Sequence, residues 1–387
     1  MAGPPGSQTS ASARRADTAR PHERAGNVYV KLHRALENVS TAHLVRGMLR
    51  TLMATIIDVA RRASVSIATV SRVLSKRNPV SDQRRDRVLA AVAELGYEPN
   101  RAARSLRTLR AAKILVTVPD ISNPFFASVI RGAEAAARAA GYSVIVGDTA
   151  NDSVLENQYS AMLRQREVDG LVFLGHHLPD SLQSLIDERG GRAPVVNGCE
   201  YGPELGVSSV HIDNAAAGME ATEHLISLGH QRIGIVTGPL VSPLSRDRLS
   251  GVRKAVARRR LGDHLHVRNG DFSVESGYQE ARTLLESERV TAIFCFSDEM
   301  AMGALKAARD VGLCCPRDVS VVGFDDIRFA RFLQPALTTI AQPTTEIGKR
   351  AVTILLQIIA GKRARKTVVT LPHQLVVRES TAAARSR

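Results

Sequence analysis

The stretch Ala54-Thr55-Ile56-Ile57-Asp58-Val59-Ala60-Arg61-Arg62-Ala63-Ser64-Val65-Ser66-Ile67-Ala68-Thr69-Val70-Ser71-Arg72-Val73-Leu74 decides how the amino end is read. Ile56, Val59, Ala60 and Ala63 recur at i, i+3, i+4 and i+7, one face of a helix over Ile56 to Ala63. Ser64 and Val65 make a turn. Ser66 then stands where an N-cap belongs, its hydroxyl able to accept an orphan N–H of a second helix over Ile67 to Ser75. Val70, Val73 and Leu74 form the inner face of that helix, leaving Ile67, Ala68, Ser71, Arg72 and Ser75 outward. A third helix is expected from Asp82, capped by Ser81, striped by Val88, Leu89, Val92 and Leu95, and ended by a left-handed Gly96. Three short helices sharing one small core make a helix-turn-helix unit.

That spacing fits a generic helical hairpin equally well, and charge separates the two readings. Residues 1–112 hold 20 Lys+Arg against 8 Asp+Glu, which is +12 of the chain's total of +14. A basic end on a near-neutral body is the footprint of phosphate binding. Small, polar and basic residues at the start of the second helix suit entry into a DNA major groove. Beyond Pro99, which cannot continue a helix, Asn100 can cap a short basic segment reaching Leu106. The segment is too short to be helical unsupported. Leu106 is the apolar type that wedges between base steps, although on spacing alone a plain linker is the simpler reading.

At 387 residues and 44% hydrophobic content the chain is long enough for two or three domains. No apolar run approaches the roughly 18 residues that span a membrane. Cys199, Cys295, Cys314 and Cys315 form no Cys-x-x-Cys, which fits structural thiols in a reducing cytoplasm and no metal site. Residues 1–27 read as disordered, without the apolar core of a secretory signal. Met53 stands directly before the helical unit, so residues 1–52 read as a disordered extension or a mis-assigned start.

From Lys113 on, short apolar runs alternate with amphipathic stretches. Ile114–Val118, Val144–Gly147, Leu171–Leu174, Val195–Asn197, Ile233–Thr237, Ala292–Phe296 and Val319–Gly323 read as buried strands. Phe126–Ala140, Leu155–Arg166, Asn214–Leu228, Arg248–Arg260, Ser276–Glu286 and Glu299–Val311 read as helices. The alternation predicts parallel α/β sheets, enough for two doubly wound lobes. Ligands bind such sheets beyond the carboxyl ends of the strands. The turns Pro119-Asp120, Gly147-Asp148, Gly238-Pro239, Ser297-Asp298 and Asp325-Asp326 would then line one cleft. No dinucleotide fingerprint, phosphate loop, nucleophile elbow or His-Glu-x-x-His is present, so no catalytic residue, cofactor or metal is expected. His176-His177 reads as a solvated loop.

These motifs, in this order, resemble the LacI family of transcription factors from Met53 to about Glu379. The matching stretches include Met53 to Asn78, Tyr97–Leu106, Val118–Phe126, Val168-Asp169-Gly170, Gly229–Ile233, Ser297–Ala301, Val322–Asp326 and Pro335–Ile340. Within the family, Val210–Asn214, Gly270-Asp271-Phe272, Ile340–Pro343 and Glu346-Ile347-Gly348 are most similar to the cytidine-repressor branch. The resemblance implies a three-helix DNA-binding domain over residues 53–99 and a hinge helix and linker over 100–112. Residues 113–387 would form a two-lobed, periplasmic-binding-protein-like body for effector binding and dimerisation. Ile67, Ala68 and Arg72 would contact bases of an operator, and Ser66, Thr69 and Ser71 its phosphates. Asn100, Arg101, Ala103 and Leu106 would form the hinge contacts, with Leu106 as the intercalating lever. Ser64 departs from the family's usual glycine, a change that costs little if its φ is negative.

By the same resemblance Phe125, Phe126, Arg248, Phe272, Asp298 and Asp325 are the candidate effector-binding residues. Phenylalanine faces with an arginine and a carboxylate suit a nucleoside, the rings for its base and the carboxylate for ribose hydroxyls. One of Phe125 and Phe126 reads equally as core, and Asp298 equally as a helix cap. Arginine and aspartate hold sugars as well, so a sugar-responsive regulator is the alternative. A solute-binding receptor would share the body but lack the basic head. No heptad repeat follows Glu379, which favours a homodimer over a larger assembly.

Overall fold

Two six-stranded sheets flanked by helices build the body, and a separate three-helix unit builds the head. The structure, a computed structural model, describes residues 54–75, 80–98, 110–176, 178–189, 192–201, 205–362 and 366–385. The expectations for residues 1–53 and for the hinge residues Asn100, Arg101, Ala103 and Leu106 lie outside these.

In the head, α1 spans Ile56–Arg62, α2 Ile67–Ser75 and α3 Asp82–Glu94. Thr55 and Asp58 open α1 with a capping box, each satisfying the other's backbone N–H. Ser66 caps α2 by accepting the N–H of Thr69 at 3.2 Å, as the sequence predicts. Val59, Ala60, Ala63, Val70, Val88 and Ala91 form the buried core. Three expectations need correction. Ser81 occupies the cap position of α3, but its side chain makes no cap bond. Leu89 is 48% exposed, because the stripe that faces inward is Val88, Ala91, Val92 and Leu95, itself an i, i+3, i+4, i+7 set. Ser64 has φ +52°, so this turn does require the left-handed backbone that glycine adopts at no cost.

In the body, lobe 1 has strand order β11-β5-β4-β3-β1-β2, all parallel. Its strands are β1 (Lys113–Val118), β2 (Ser143–Asp148), β3 (Gly170–Phe173), β4 (Val195–Gly198), β5 (Ser208–Ile212) and β11 (Val368–Leu371). Helices α4 (Pro124–Ala139), α5 (Ser153–Arg164), α6 (Asp180–Glu188) and α11 (Thr344–Ile359) cover it. Lobe 2 repeats the plan in the order β12-β10-β9-β8-β6-β7, with β12 antiparallel. Its strands are β6 (Ile233–Thr237), β7 (Leu265–Asn269), β8 (Ala292–Cys295), β9 (Ser320–Asp325), β10 (Thr338–Ala341) and β12 (Gln374–Val376). Its helices are α7 (Asn214–Ser227), α8 (Pro243–Arg258), α9 (Val274–Ser287) and α10 (Asp298–Asp310). Phe294, Phe296 and Phe324 lie fully buried at its centre.

The chain passes between lobes three times, after β5, after β10 and after β11. Each sheet changes direction of winding beside its first strand in chain order, β1 in one lobe and β6 in the other, one strand in from the edge. The carboxyl ends of these strands are where a ligand-binding crevice belongs.

Candidate functional site

A cleft of about 830 Å³ lies between the lobes, at the carboxyl ends of their strands. This size falls in the range of small-molecule sites. Lobe 1 contributes the turn after β1 and the start of α4, the turn after β3 and the residues after β4. Lobe 2 contributes the turn after β6, the start of α8, the residues after β7 and the end of β9.

Arg248 forms the floor. It sits on α8, which packs against α7 so closely that a Cβ on Gly251 would stand 2.0 Å from the Ala215 carbonyl oxygen. That approach brings Arg248 to Asn214, to which its Nε donates at 2.9 Å, while Nη1 donates to the Phe296 carbonyl at 2.5 Å. Its guanidinium carbon lies 3.5 Å from the centre of the Phe324 ring. Burial lowers the Arg248 pKa to about 10, and Asp325 and Glu200 oppose that shift, so the group stays charged near neutrality. Asp325 ends β9 beside it at φ +115°, a costly backbone conformation of the kind found at functional sites. Gln342, in the second crossing, donates to Asp325 Oδ1 at 2.7 Å. Burial pushes the Asp325 carboxyl up to about 7, against the pull of Arg248 and Gln342.

The aromatic residues divide as expected. Phe125 is 8% exposed and belongs to the lobe 1 core, whereas Phe126 is half-buried; the two meet edge to face, with centroids 5.1 Å apart. Both border the cleft. Phe272 takes φ +75° and lays its ring on Gly238, where any Cβ would overlap it. That contact holds an aromatic ring on the lobe 2 wall.

Asp298 does not join this group. It is fully buried and is absent from the cleft wall. Its oxygens accept from the Ile327 N–H at 2.8 Å and the Thr339 hydroxyl at 2.5 Å, so it ties the end of β9 to β10. Nor is it the helix cap, because Ser297 caps α10 by accepting from the Met300 N–H. His176 also differs from expectation, being half-buried on the cleft wall.

Sequence reasoning missed Glu200, Asn123, Ser242 and Gln342, all of which border the cleft. Glu200 is 4% exposed; it accepts from the Ser242 hydroxyl at 2.8 Å and the Leu244 N–H at 3.3 Å. Burial raises its carboxyl to about 7, and those two donors oppose the shift. An acid two residues beyond an apolar strand was the available signal, since ligand groups collect at strand ends.

In the head, Ile67 and Ala68 at the start of α2 and Arg72 in its last turn are exposed, with Ser66 exposed and Thr69 and Ser71 half-buried. The Ser66 and Thr69 hydroxyls lie 2.9 Å apart. The first turn of α2 holds no acidic residue, so the partial positive charge of the helix start is left for an anion. No helix among the described residues is long and apolar enough to cross a membrane.

Residues 55–100 match the model of bacterial regulatory proteins, lacI family, and residues 222–381 match that of a periplasmic binding protein-like domain. The chain is similar to the HTH-type transcriptional repressor CytR of Escherichia coli strain K12, with 40% identity over 334 residues, 85% of this chain and 97% of that protein. It is 39% identical to the HTH-type transcriptional repressor PurR of Salmonella typhi over 335 residues, again 85% and 97% of the two chains. The solved structure of the lac repressor dimer bound to operator and the anti-inducer ONPF aligns with a TM-score of 0.77 at 31% identity, covering 86% of this chain and all of that one.

Proposed function

The chain belongs to the lacI family of bacterial regulatory proteins, and from that premise we propose that it is a transcriptional repressor whose hold on DNA is set by a nucleoside in the interlobe cleft. Residues 53–99 are the DNA-reading domain, 100–112 the hinge helix and linker, and 113–387 the effector-binding and dimerisation body. Ile67, Ala68 and Arg72 read base edges, while Ser66, Thr69 and Ser71 hold phosphates. Asn100, Arg101, Ala103 and Leu106 act at the minor groove. Two copies related by a two-fold axis read a near-palindromic operator in the bacterial cytoplasm.

The observation that carries the effector reading is a cleft that sets aromatic rings, Phe126 and Phe272, beside a buried polar floor of Arg248, Asp325 and Gln342. Rings offer a face to a base, and the floor offers acceptors and donors to ribose hydroxyls. A nucleoside that favours one lobe orientation shifts the population of hinge conformations, and with it the affinity for DNA. Coupling is reciprocal, so DNA must weaken or strengthen the effector by the same factor. The same polar floor favours a sugar as the second reading.

Thermal unfolding of the full chain with cytidine, other nucleosides and sugars separates the two. A midpoint raised by cytidine, and no longer raised in Asp325→Asn or Phe272→Ala, supports the nucleoside reading. A midpoint raised by a sugar alone would refute it.

A further inference from the structure

Helices α4 and α8 are counterparts. Each follows the first strand of its sheet in chain order, and each carries proline at its first position. In α4 the second N–H, that of Phe125, is accepted at 2.9 Å by the helix's own cap residue, Asn123. In α8 the corresponding N–H is that of Leu244, and its acceptor is Glu200, at the end of β4 in the other lobe. The α8 cap residue, Ser242, makes no cap bond of its own and gives its hydroxyl proton to the same carboxylate. The cap of the lobe 2 helix is therefore supplied by lobe 1.

A carboxylate has about four acceptor positions, and neutral donors occupy two of those on Glu200. Arg248 and Arg246 act on it only through space. A buried carboxylate without an ion pair is an environment that favours one more hydrogen-bond donor. Asp120, Glu156, Asp271 and Asp325 also border the cleft, with Arg248 as the one permanent cation among the described lining residues, and neutral donors on the wall such as Asn123 and Gln342 are not among those bonded to Glu200. A ligand that brings a donor to this carboxylate completes the set.

We propose that Glu200 is the specificity-determining residue of the cleft, accepting a hydrogen bond from an amino group on the effector's base, so that amino-bearing nucleosides such as cytidine or adenosine are taken in preference to their oxo counterparts uridine and inosine. This rests on the nucleoside reading above. An oxo group in the same place would set acceptor against acceptor and leave Glu200 unsatisfied. Because the carboxylate also caps α8, the base is read at a point where the two lobes meet.

Calorimetric titration of the full chain at pH 8 with cytidine, uridine, adenosine and inosine tests this, on wild type and on Glu200→Gln. Glutamine keeps an oxygen for Ser242 or Leu244 and presents an amide N–H₂ to the ligand. Wild type should prefer the amino member of the pair that fits by at least about tenfold, and the variant should abolish or invert that preference. An equal loss for both members, or an unchanged ratio, overturns the proposal while leaving the nucleoside reading in place. Binding of none of the four, with a sugar bound instead, overturns both. If circular dichroism shows Glu200→Gln to be unfolded, Glu200→Asp serves. Its shortened carboxylate should lose the amino preference, and retention of the wild-type ratio overturns the proposal.

Discussion

The two lobes share a topology and differ in how their leading helices begin. Lobe 1 caps α4 from within, through Asn123, whereas lobe 2 leaves the start of α8 to Glu200 across the cleft. The same helical requirement, an acceptor for an orphan N–H, is met locally in one case and by the opposite lobe in the other. A local cap stabilises one lobe at any lobe orientation. A cap supplied across the cleft stabilises one orientation of the pair, and that is the property a ligand-controlled body needs.

The strongest way to break the comparison is at the floor of α8. Arg248→Ala removes a buried guanidinium from Asn214, the Phe296 carbonyl and the Phe324 ring, leaving acceptors unpaired and a cavity. Denaturant unfolding should show a loss of about 3 kcal/mol or more, with effector binding abolished. A change of a few tenths would contradict the packing described.

Next comes pH. Burial raises Glu200 from 4.5 to about 7, so between those values the folded state binds a proton that the unfolded chain releases. The stability from this proton is fully present below about pH 4 and is lost as pH rises through about 7. The buried His211 and His230 and the half-buried His224 have pKa values lowered by desolvation and work in the opposite sense, so the variant must be subtracted. Wild type minus Glu200→Gln stability should fall by about 2–3 kcal/mol from pH 5 to pH 8. A flat difference would mean that Glu200 is hydrated in solution.

Asn123→Ala, the matching change in lobe 1, should cost about 1 kcal/mol by chemical denaturation, equally at both pH values. A pH-dependent cost there would erase the distinction between the lobes. The smallest effect is outside them. Ser64→Gly relieves a left-handed serine and should raise the stability of the head by about 0.5–1 kcal/mol, less than the full strain because glycine also loses more entropy on folding. A lowered melting midpoint of the head transition would contradict this.

These contrasts follow what was readable in the residues. The head is local: caps, a 3.6-residue period and a charge imbalance all lie within short windows, so α1 and α2 emerge with their ends nearly as expected. Most strands read from apolar runs have a partner on both sides, such as Ile233–Thr237, with Val144–Gly147 the exception at an edge. Those overlooked carry polar residues, as in Ser208–Ile212 and Thr338–Ala341, or lie at edges, as with Val368–Leu371 and Gln374–Val376; tertiary pairing makes them strands. Helix α8 begins five residues before the expected Arg248, because Pro243 at a first position starts a helix as readily as it breaks one. In the cleft, Arg248 and Asp325 came from family resemblance. Glu200 did not, since its role depends on Ser242 and Leu244, more than 40 residues away and in the other lobe. Asp298 was misplaced for the same reason: only the fold shows that Ile327 and Thr339 take up its oxygens.

The most direct test of the whole account is the affinity of the full chain for DNA with and without its nucleoside. Selection from random duplexes supplies the operator, and fluorescence anisotropy at fixed salt supplies the dissociation constant. The account predicts a near-palindromic site whose affinity changes about 5- to 150-fold when cytidine is added, with the change lost in Asp325→Asn. An enriched site whose affinity is indifferent to every nucleoside, or no enriched site at all, would contradict it.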